Sequence, residues 1–152
     1  YSVATDVVGY LVQVVSGVPF GQFLRDLCAD LSHSAMIEQG HHIDVQADTR
    51  ELPTDKVIPL ALIVNELVTN AVKYAYPVGT RGAIYVQFRS AKDGSFEVVV
   101  ADEGVGLPSG FDPAATKSLG MRMVSALLGQ VGAELSCAFS NGGTKFIISA
   151  AG

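Results

Sequence analysis

The amino-acid sequence predicts an α+β fold, a two-layer α/β sandwich in which a mixed sheet of about five strands is covered on one face by about three helices. Apolar residues recur at helical spacing in three segments, which predicts three amphipathic helices. Five short apolar or alternating runs predict strands, and two of their connections carry the turn residues of hairpins. Antiparallel hairpins combined with amphipathic helices favour two layers around one core.

The composition is that of one globular domain. A chain of 152 residues can bury a core, and 49% apolar against 16% charged residues excludes a disordered chain. The mean hydropathy of +0.35 indicates either a core rich in alanine and valine or an apolar surface that meets another part of a larger protein. The net charge of −5 argues against nucleic acid as a partner, because such sites need a basic surface.

The cysteines and the apolar runs bear on localisation. Cys28 and Cys137 lie far apart without a CxxC pair, which indicates two buried thiols in a reducing compartment and a cytoplasmic domain, whether or not the parent protein is membrane-anchored. We predict neither a signal peptide nor direct membrane insertion by this chain, since no run reaches the roughly 18 apolar residues of a membrane span. The chain begins with Tyr1 rather than Met, so we interpret it as a piece of a longer protein.

The first third of the chain predicts one helix and one strand. Residues 1–18 fit the tail of an upstream helix, an edge strand or a remnant of a dimerisation or linker region, and residues 19–152 form the domain. An amphipathic helix follows, and its apolar stripe is Phe20, Phe23, Leu24, Leu27 and Leu31. Residues 42–47 alternate as a half-buried strand does.

The second helix is predicted from about Val57 to Tyr74. It follows a turn at residues 52–55 and ends before Pro77, because the residue before a proline is disfavoured in a helix. Pro59 falls in the first turn of this predicted helix, where a missing N–H group costs nothing.

The remaining elements are two hairpins separated by a loop and a helix. Residues 92–94 are the turn of the first hairpin, and the run Val98–Val100 predicts a central strand. A loop over residues 104–117 precedes a third helix that begins near Leu119 and stops at Gly132. The four strands of these hairpins are predicted at residues 83–89, 96–101, 134–139 and 144–150.

Four short segments, in a fixed order, indicate a nucleotide site. They are Asn65–Ala71 (NELVTNA), Asp102–Gly106 (DEGVG), Ser118–Met121 (SLGM) and Gly142–Thr144 (GGT). Each segment alone is weak evidence, but together they supply a carboxylate and an amide on a helix, an acid at a strand end, a glycine at a helix start and a threonine entering a last strand. The chain has neither a P-loop nor a GxGxxG sequence after a first strand.

The helical segment supplies candidate magnesium chemistry. Glu66 and Asn70 are four residues apart and therefore share a face. The amide oxygen of Asn70 could bind Mg²⁺ beside triphosphate oxygens, and Glu66 could orient or deprotonate a water of the metal shell. Lys73 could meet phosphate. The alternative is a solvated helix face that binds no metal.

The other segments supply candidate contacts to a base and to phosphates. The Asp102 carboxylate could accept a hydrogen bond from an adenine amine, although a strand-end turn is the ordinary explanation of DEGVG. Gly120 opens a helix whose free N–H groups suit phosphate, while Ser118 fits an N-cap. The Thr144 hydroxyl could reach the base directly or through water, unless Gly142–Thr144 is only a hairpin turn.

These segments resemble the motifs of bacterial sensor histidine kinases, which have the Bergerat (GHKL) ATP-binding fold. Residues 64–77 resemble the N box, residues 102–108 the G1 box, residues 118–121 the G2 box and residues 142–144 the last glycine motif. The resemblance covers roughly residues 20–150 and is strongest to the HisKA_2-type subfamily. The related HWE subfamily has a His before the N-box Glu and a Trp, whereas this chain has Asn65 and no Trp.

The resemblance implies an ATP- and Mg²⁺-dependent kinase domain that phosphorylates a histidine on a dimerisation helix. Its partners would be upstream dimerisation and phosphoacceptor helices and a response regulator, in a homodimeric parent protein. It makes Glu66 and Asn70 catalytic, with Asn70 on Mg²⁺ and Glu66 in its water shell. The implied nucleotide contacts are Asn70, Lys73, Tyr74, Asp102, Gly104, Gly106, Leu119, Gly120, Met121 and Thr144. Ser118 stands where many kinases have Gly, which predicts a stiffer lid hinge.

No segment of the chain has the pattern of a phosphoacceptor box. His33, His41 and His42 lack the neighbouring residues expected of one, and we expect them on the surface or in loops. The acceptor would then lie upstream of Tyr1 or in another chain, and the chain alone would not autophosphorylate. Two alternatives stay open: a serine kinase of the anti-sigma-factor type or a related GHKL ATPase, and a nucleotide-free pseudokinase or phosphotransfer scaffold.

Overall fold

The computed structural model describes residues 19–32, 41–76, 81–106, 118–140 and 142–151. The N-terminal segment 1–18, His33 and most of the predicted loop 104–117 lie outside the described residues. The helices are α1 (Phe20–Leu31), α2 (Thr54–Tyr74) and α3 (Leu119–Val131). The strands are β1 (His42–Ala47), β2 (Ala83–Ser90), β3 (Phe96–Asp102), β4 (Ala133–Ser140) and β5 (Gly143–Ala150).

The five strands form one mixed sheet in the order β1-β2-β3-β5-β4. β1 runs parallel to β2, and every other neighbouring pair is antiparallel. One face of the sheet and the buried sides of all three helices share a single hydrophobic core. This architecture confirms the predicted two-layer α+β sandwich.

The first helix covers the β1 end of the sheet through its apolar stripe. Phe20, Phe23, Leu24 and Leu27 are fully buried. The Phe20 ring meets the Phe88 ring of β2 edge to face, with 4.9 Å between ring centroids. Burial of each such side chain stabilises the fold by roughly 1.5–3 kcal/mol, so α1 contributes to the same hydrophobic core as the other helices.

The second helix begins earlier than the sequence predicts, at Thr54 rather than at Val57. Its first turn forms because the Lys56 and Val57 N–H groups both donate to the Pro53 carbonyl, at 2.9 and 3.1 Å. Pro59 therefore lies in the second turn instead of the first, where its ring removes one hydrogen bond from the helix. Pro59 is buried in the core, and this burial offsets the lost bond.

The same helix is long and apolar enough to cross a membrane by length and composition. Its mean hydropathy over an 18-residue window is 1.3, and half of that window is buried inside the domain. The core helix of a globular domain satisfies the same test. Here Leu60, Ile63, Val64 and Leu67 are buried against the sheet and the other helices, which accounts for the apolar composition.

The ends of α3 and the centre of the sheet match the sequence predictions. The Ser118 hydroxyl accepts the Met121 N–H at 3.2 Å, as an N-cap does, and α3 ends at Gly132 with a left-handed φ of 65°. Val98, Val99 and Val100 are all buried in the central strand β3. Val99 alternates onto the face of the sheet opposite to that of Val98 and Val100, where its cross-strand neighbours are Gln87 of β2 and Ile147 of β5.

Candidate functional site

A cavity of about 660 Å³ lies between α2, the first turn of α3 and the ends of β3 and β5. Its size is in the range of small-molecule and cofactor sites. Nine of the side chains and glycines that the sequence singled out meet there. They are Glu66, Asn70, Lys73, Tyr74, Asp102, Gly106, Gly120, Met121 and Thr144.

The sheet wall of the cavity consists of two cross-strand pairs. Asp102 of β3 lies opposite Thr144 of β5, and Val100 lies opposite Phe146. All four residues line the cavity, so the carboxylate and the hydroxyl-bearing side chain stand beside an apolar surface. Thr144 is only 5% exposed. A flat heterocycle with an amine at its edge matches this combination of an apolar wall and a terminal acceptor.

The environment of Asp102 favours strong hydrogen bonding to a donor. Burial raises the pKa of the Asp102 carboxyl, and hydrogen bonds from the backbone N–H groups of Gly104 and Thr144 oppose this rise. The Gly104 N–H donates to Asp102 Oδ1 at 2.9 Å, which fixes the carboxylate plane. Because the carboxylate is partly removed from water, a donor from a ligand gains more here than on an open surface.

The helix wall presents Glu66, Asn70 and Lys73 at intervals of four and three residues along α2. The Asn70 amide nitrogen contacts Met121 Sδ of α3 at 4.0 Å, which leaves the amide oxygen as the atom suited to a cation. Lys73 and Tyr74 are exposed at the cavity mouth, and Tyr74 is 72% exposed. The α2 wall therefore presents an amide oxygen of the kind that suits Mg²⁺ and a cation of the kind that suits phosphate.

Glu66 lies against the first turn of α3. A Cβ atom placed on Gly120 would be 1.8 Å from Glu66 Oε1 and 2.5 Å from its Cδ. Only glycine leaves room for the carboxylate at this position. The glycine of the SLGM segment thus serves the approach of α2 to α3, in addition to opening the helix.

Two of the predicted nucleotide contacts do not line the cavity. Leu119 is 82% exposed at the start of α3. Gly104 lies on the far side of its loop, where a Cβ atom would be 2.0 Å from the Ala75 carbonyl oxygen, and it lines a second, shallower cavity. Gly104 therefore acts on Asp102 through its backbone N–H, and both assignments remain predictions.

The structure adds lining residues that the sequence does not single out. Ala75, Val105 and Phe146 border the cavity beside the predicted residues. Phe146 could have been found by aligning the end of the strand that carries Asp102 with the start of the strand that carries Thr144, because alternation places Phe146 on the same face as Thr144. Val105 carries no such signal, since a single valine between two glycines fits any turn.

His41 lies just before β1, outside any helix or strand, which agrees with the prediction of surface or loop histidines, but its side chain is buried. His41 is 6% exposed and stacks on Tyr76, with 5.2 Å between ring centroids. His42 is exposed as predicted. Burial of His41 follows from its place beside the end of α2, which sequence spacing does not reveal.

The family model of the histidine kinase-like ATPase domain matches residues 40–148. The chain belongs to this family. The matched range contains α2, α3, strands β1 to β4, most of β5 and every residue that lines the cavity. The histidine kinase-like ATPase domain is thus the unit that carries the four predicted motifs.

Individual relatives agree with the family. The chain is 29% identical over 133 residues to blue-light-activated histidine kinase 2 of Erythrobacter litoralis, covering 87% of this chain and 37% of that protein. It is 35% identical over 103 residues to the sensor histidine kinase PdtaS of Mycobacterium tuberculosis, covering 66% of this chain and 20% of that protein. The chain therefore spans less than half of either curated relative.

A solved structure shows the same fold over nearly the whole chain. The histidine kinase domain of the Erythrobacter litoralis EL346 blue-light-activated kinase superposes with a TM-score of 0.88 at 25% identity. The superposition covers 99% of this chain and 73% of that one. The histidine kinase-like ATPase domain fold is therefore preserved beyond the matched motifs.

Proposed function

We propose that this chain is the ATP- and Mg²⁺-binding catalytic domain of a two-component sensor histidine kinase. It transfers the γ-phosphate of ATP to a histidine on a dimerisation helix. The observation that carries the proposal is the convergence of Asp102, Asn70 and the first turn of α3 on one cavity of about 660 Å³. Membership of the histidine kinase-like ATPase domain family supports it.

The residues of the cavity fit adenine at the sheet wall. Asp102 accepts a hydrogen bond from the exocyclic amine, while Val100 and Phe146 provide the apolar surface for the ring. Thr144, opposite Asp102, contacts the base directly or through a water molecule. The Asp102 carboxylate, the Thr144 hydroxyl and the apolar surface lie on one face of two neighbouring strands, so together they can recognise one flat group.

The helix wall and α3 fit a magnesium triphosphate. Mg²⁺ uses few protein ligands and several waters and phosphate oxygens, so Asn70 alone is a sufficient protein ligand. A bound Mg²⁺ would neutralise charge on the phosphates. Glu66 would orient a water of the metal shell, and the N–H groups of α3 together with Lys73 would hold the phosphates.

The whole-protein setting is also part of the proposal. The acceptor histidine belongs to dimerisation helices, in the same parent protein or in a second copy, and a response regulator receives the phosphoryl group. The domain works in the cytoplasm of a homodimeric parent. Without the acceptor helix, this chain binds ATP but does not autophosphorylate.

Calorimetry with a non-hydrolysable ATP analogue, with and without Mg²⁺, tests the nucleotide site. We expect Mg²⁺-dependent binding by the wild type, about 100-fold weaker binding by Asp102→Ala, and loss of the Mg²⁺-dependent part in Asn70→Ala. Asp44→Ala is the matched control, because it removes an exposed carboxylate of β1 that lies outside the cavity. This variant should bind the nucleotide with wild-type affinity. Unchanged affinity in Asp102→Ala would remove the assignment of that residue.

The identity of the acceptor separates the kinase from its alternatives. The domain is incubated with ATP and a dimerisation segment of a histidine kinase supplied as a separate chain. Phosphohistidine is labile in acid and stable in base, whereas phosphoserine is stable in acid, so treatment of the product distinguishes the two. Acid-stable product favours the serine kinase, and a folded wild type that binds no nucleotide favours the scaffold.

A further inference from the structure

Three successive backbone N–H groups hold the loop that follows Asp102. The Glu103 N–H donates to Tyr76 Oη at 2.9 Å, and the Val105 N–H donates to the Ala75 carbonyl at 2.8 Å. Between them, the Gly104 N–H donates to Asp102 Oδ1 at 2.9 Å. The carboxylate is therefore bonded to a loop that the end of α2 fixes on both sides.

The Tyr76 ring has a defined position. Gly82 leaves the space that the ring occupies, because a Cβ atom there would lie 2.1 Å from Tyr76 Cζ. The His41 ring also stacks on the Tyr76 ring, with an interplanar angle of 29°. With the ring held by a glycine and a buried histidine, the hydroxyl has little freedom to move.

The Tyr76 hydroxyl joins three elements. It accepts the Glu103 N–H and donates to the Ala83 carbonyl at 2.6 Å, at the start of β2. Burial is the main cause that raises the pKa of Tyr76, and the nearby charges of Asp102 and Glu103 raise it further. A tyrosine hydroxyl carries its proton at neutral pH, so it can donate to the Ala83 carbonyl while it accepts the Glu103 N–H.

We propose that Tyr76 is a positioning residue for the adenine site: its hydroxyl fixes the Glu103 backbone and thereby orients the Asp102 carboxylate in the cavity. The proposal rests on the proposed function, because it assigns adenine to Asp102. Tyr76 does not line the nucleotide cavity and acts through the loop alone. A phenylalanine would keep the ring contacts and leave the Glu103 N–H and the Ala83 carbonyl without this partner.

Comparison of ATP with inosine triphosphate, which lacks the exocyclic amine, tests the role of Tyr76. Affinities for both nucleotides are measured in the full chain for the wild type, Tyr76→Phe and Tyr85→Phe. Tyr85 is the matched control, since its hydroxyl donates to the Glu103 side chain at 3.1 Å and leaves the backbone alone. We expect Tyr76→Phe to lower the ATP-to-inosine triphosphate affinity ratio by about threefold to tenfold, and Tyr85→Phe to stay within about twofold of the wild type.

Hydrogen exchange of the Glu103 amide in the unliganded protein gives a second readout that does not depend on nucleotide. We expect exchange about tenfold faster in Tyr76→Phe and unchanged in Tyr85→Phe. An unchanged affinity ratio in folded Tyr76→Phe overturns the proposal, even if its melting temperature falls. If the wild type binds neither nucleotide, the proposed function is overturned instead. In that case, an unchanged Glu103 exchange rate in Tyr76→Phe would also show that the Tyr76 hydroxyl does not hold the Glu103 backbone.

Discussion

Replacing Gly120 with alanine would place a methyl group where the Glu66 carboxylate lies. The added Cβ would be 1.8 Å from Oε1 and 3.1 Å from Oε2 of Glu66. Because carbon and oxygen atoms settle at roughly 3.5 Å, the carboxylate has to move by about 2 Å. The obstacle is the end of a flexible side chain and not backbone, so Glu66 rotates away while α2 and α3 keep their places.

We therefore expect Gly120→Ala to change the stability of the fold little and the rate of phosphoryl transfer strongly. Alanine is a better helix former than glycine by up to about 1 kcal/mol, so the free energy of unfolding should stay within about 1 kcal/mol of the wild type. A catalytic group displaced by about 1 Å costs about 100-fold in rate, and we expect at least this loss in phosphoryl transfer. Nucleotide affinity should fall less than the rate does.

The matched control is Gly129→Ala in the same helix, since nothing lies within 4 Å of a Cβ atom added there. This variant should gain stability of about 1 kcal/mol and transfer phosphate at the wild-type rate. Unfolding is measured in urea, and transfer is measured to a separately supplied dimerisation segment. Wild-type transfer by Gly120→Ala, with Glu66 displaced in its crystal structure, would refute the role of Glu66. If Gly120→Ala loses several kcal/mol of unfolding free energy, the inference that the Glu66 side chain rotates away from the added methyl group would be refuted.

Three other predictions concern charge, core and thiol. The raised pKa of Asp102 means that this carboxylate takes up a proton at a higher pH than an ordinary aspartate does. On acidification, ATP affinity should therefore fall more steeply in the wild type than in Asp102→Asn, which should bind more weakly at neutral pH; calorimetry of both proteins over the same pH range measures the difference. Phe20→Ala should lower the free energy of unfolding by about 3–5 kcal/mol in urea denaturation, through loss of the contact with Phe88. Burial raises the pKa of the Cys28 thiol to about 12, so a thiol reagent should label Cys28 only after unfolding.

The fold was predictable because its elements bury one face each. The stripe of α1 and the alternation in β1 and β2 report burial directly, and the valines of β3 mark the centre of the sheet. The start of α2 was not predictable to the residue, since Thr54 and Asp55 also fit a turn. In the structure, the Pro53 carbonyl accepts the N–H groups of Lys56 and Val57, so these residues start the helix instead of forming a turn. These hydrogen bonds form only in the folded backbone and leave no mark in the sequence.

The candidate site was predictable where its residues are ones that local structure disfavours. Gly120 in the first turn of α3, Asn70 near the end of α2 and Asp102 after a run of valines are residue types that helices and strands do not favour. For Gly120, the close approach of Glu66 accounts for the choice of residue. Val105 and Tyr76 carry no such mark, because valine and tyrosine are residues that a core would use anyway. The sequence therefore indicates the residues proposed to contact the ligand, but it does not indicate the residues that hold them in position. The positioning residues are identified only from hydrogen bonds in the folded structure, such as the one from the Glu103 N–H to Tyr76 Oη.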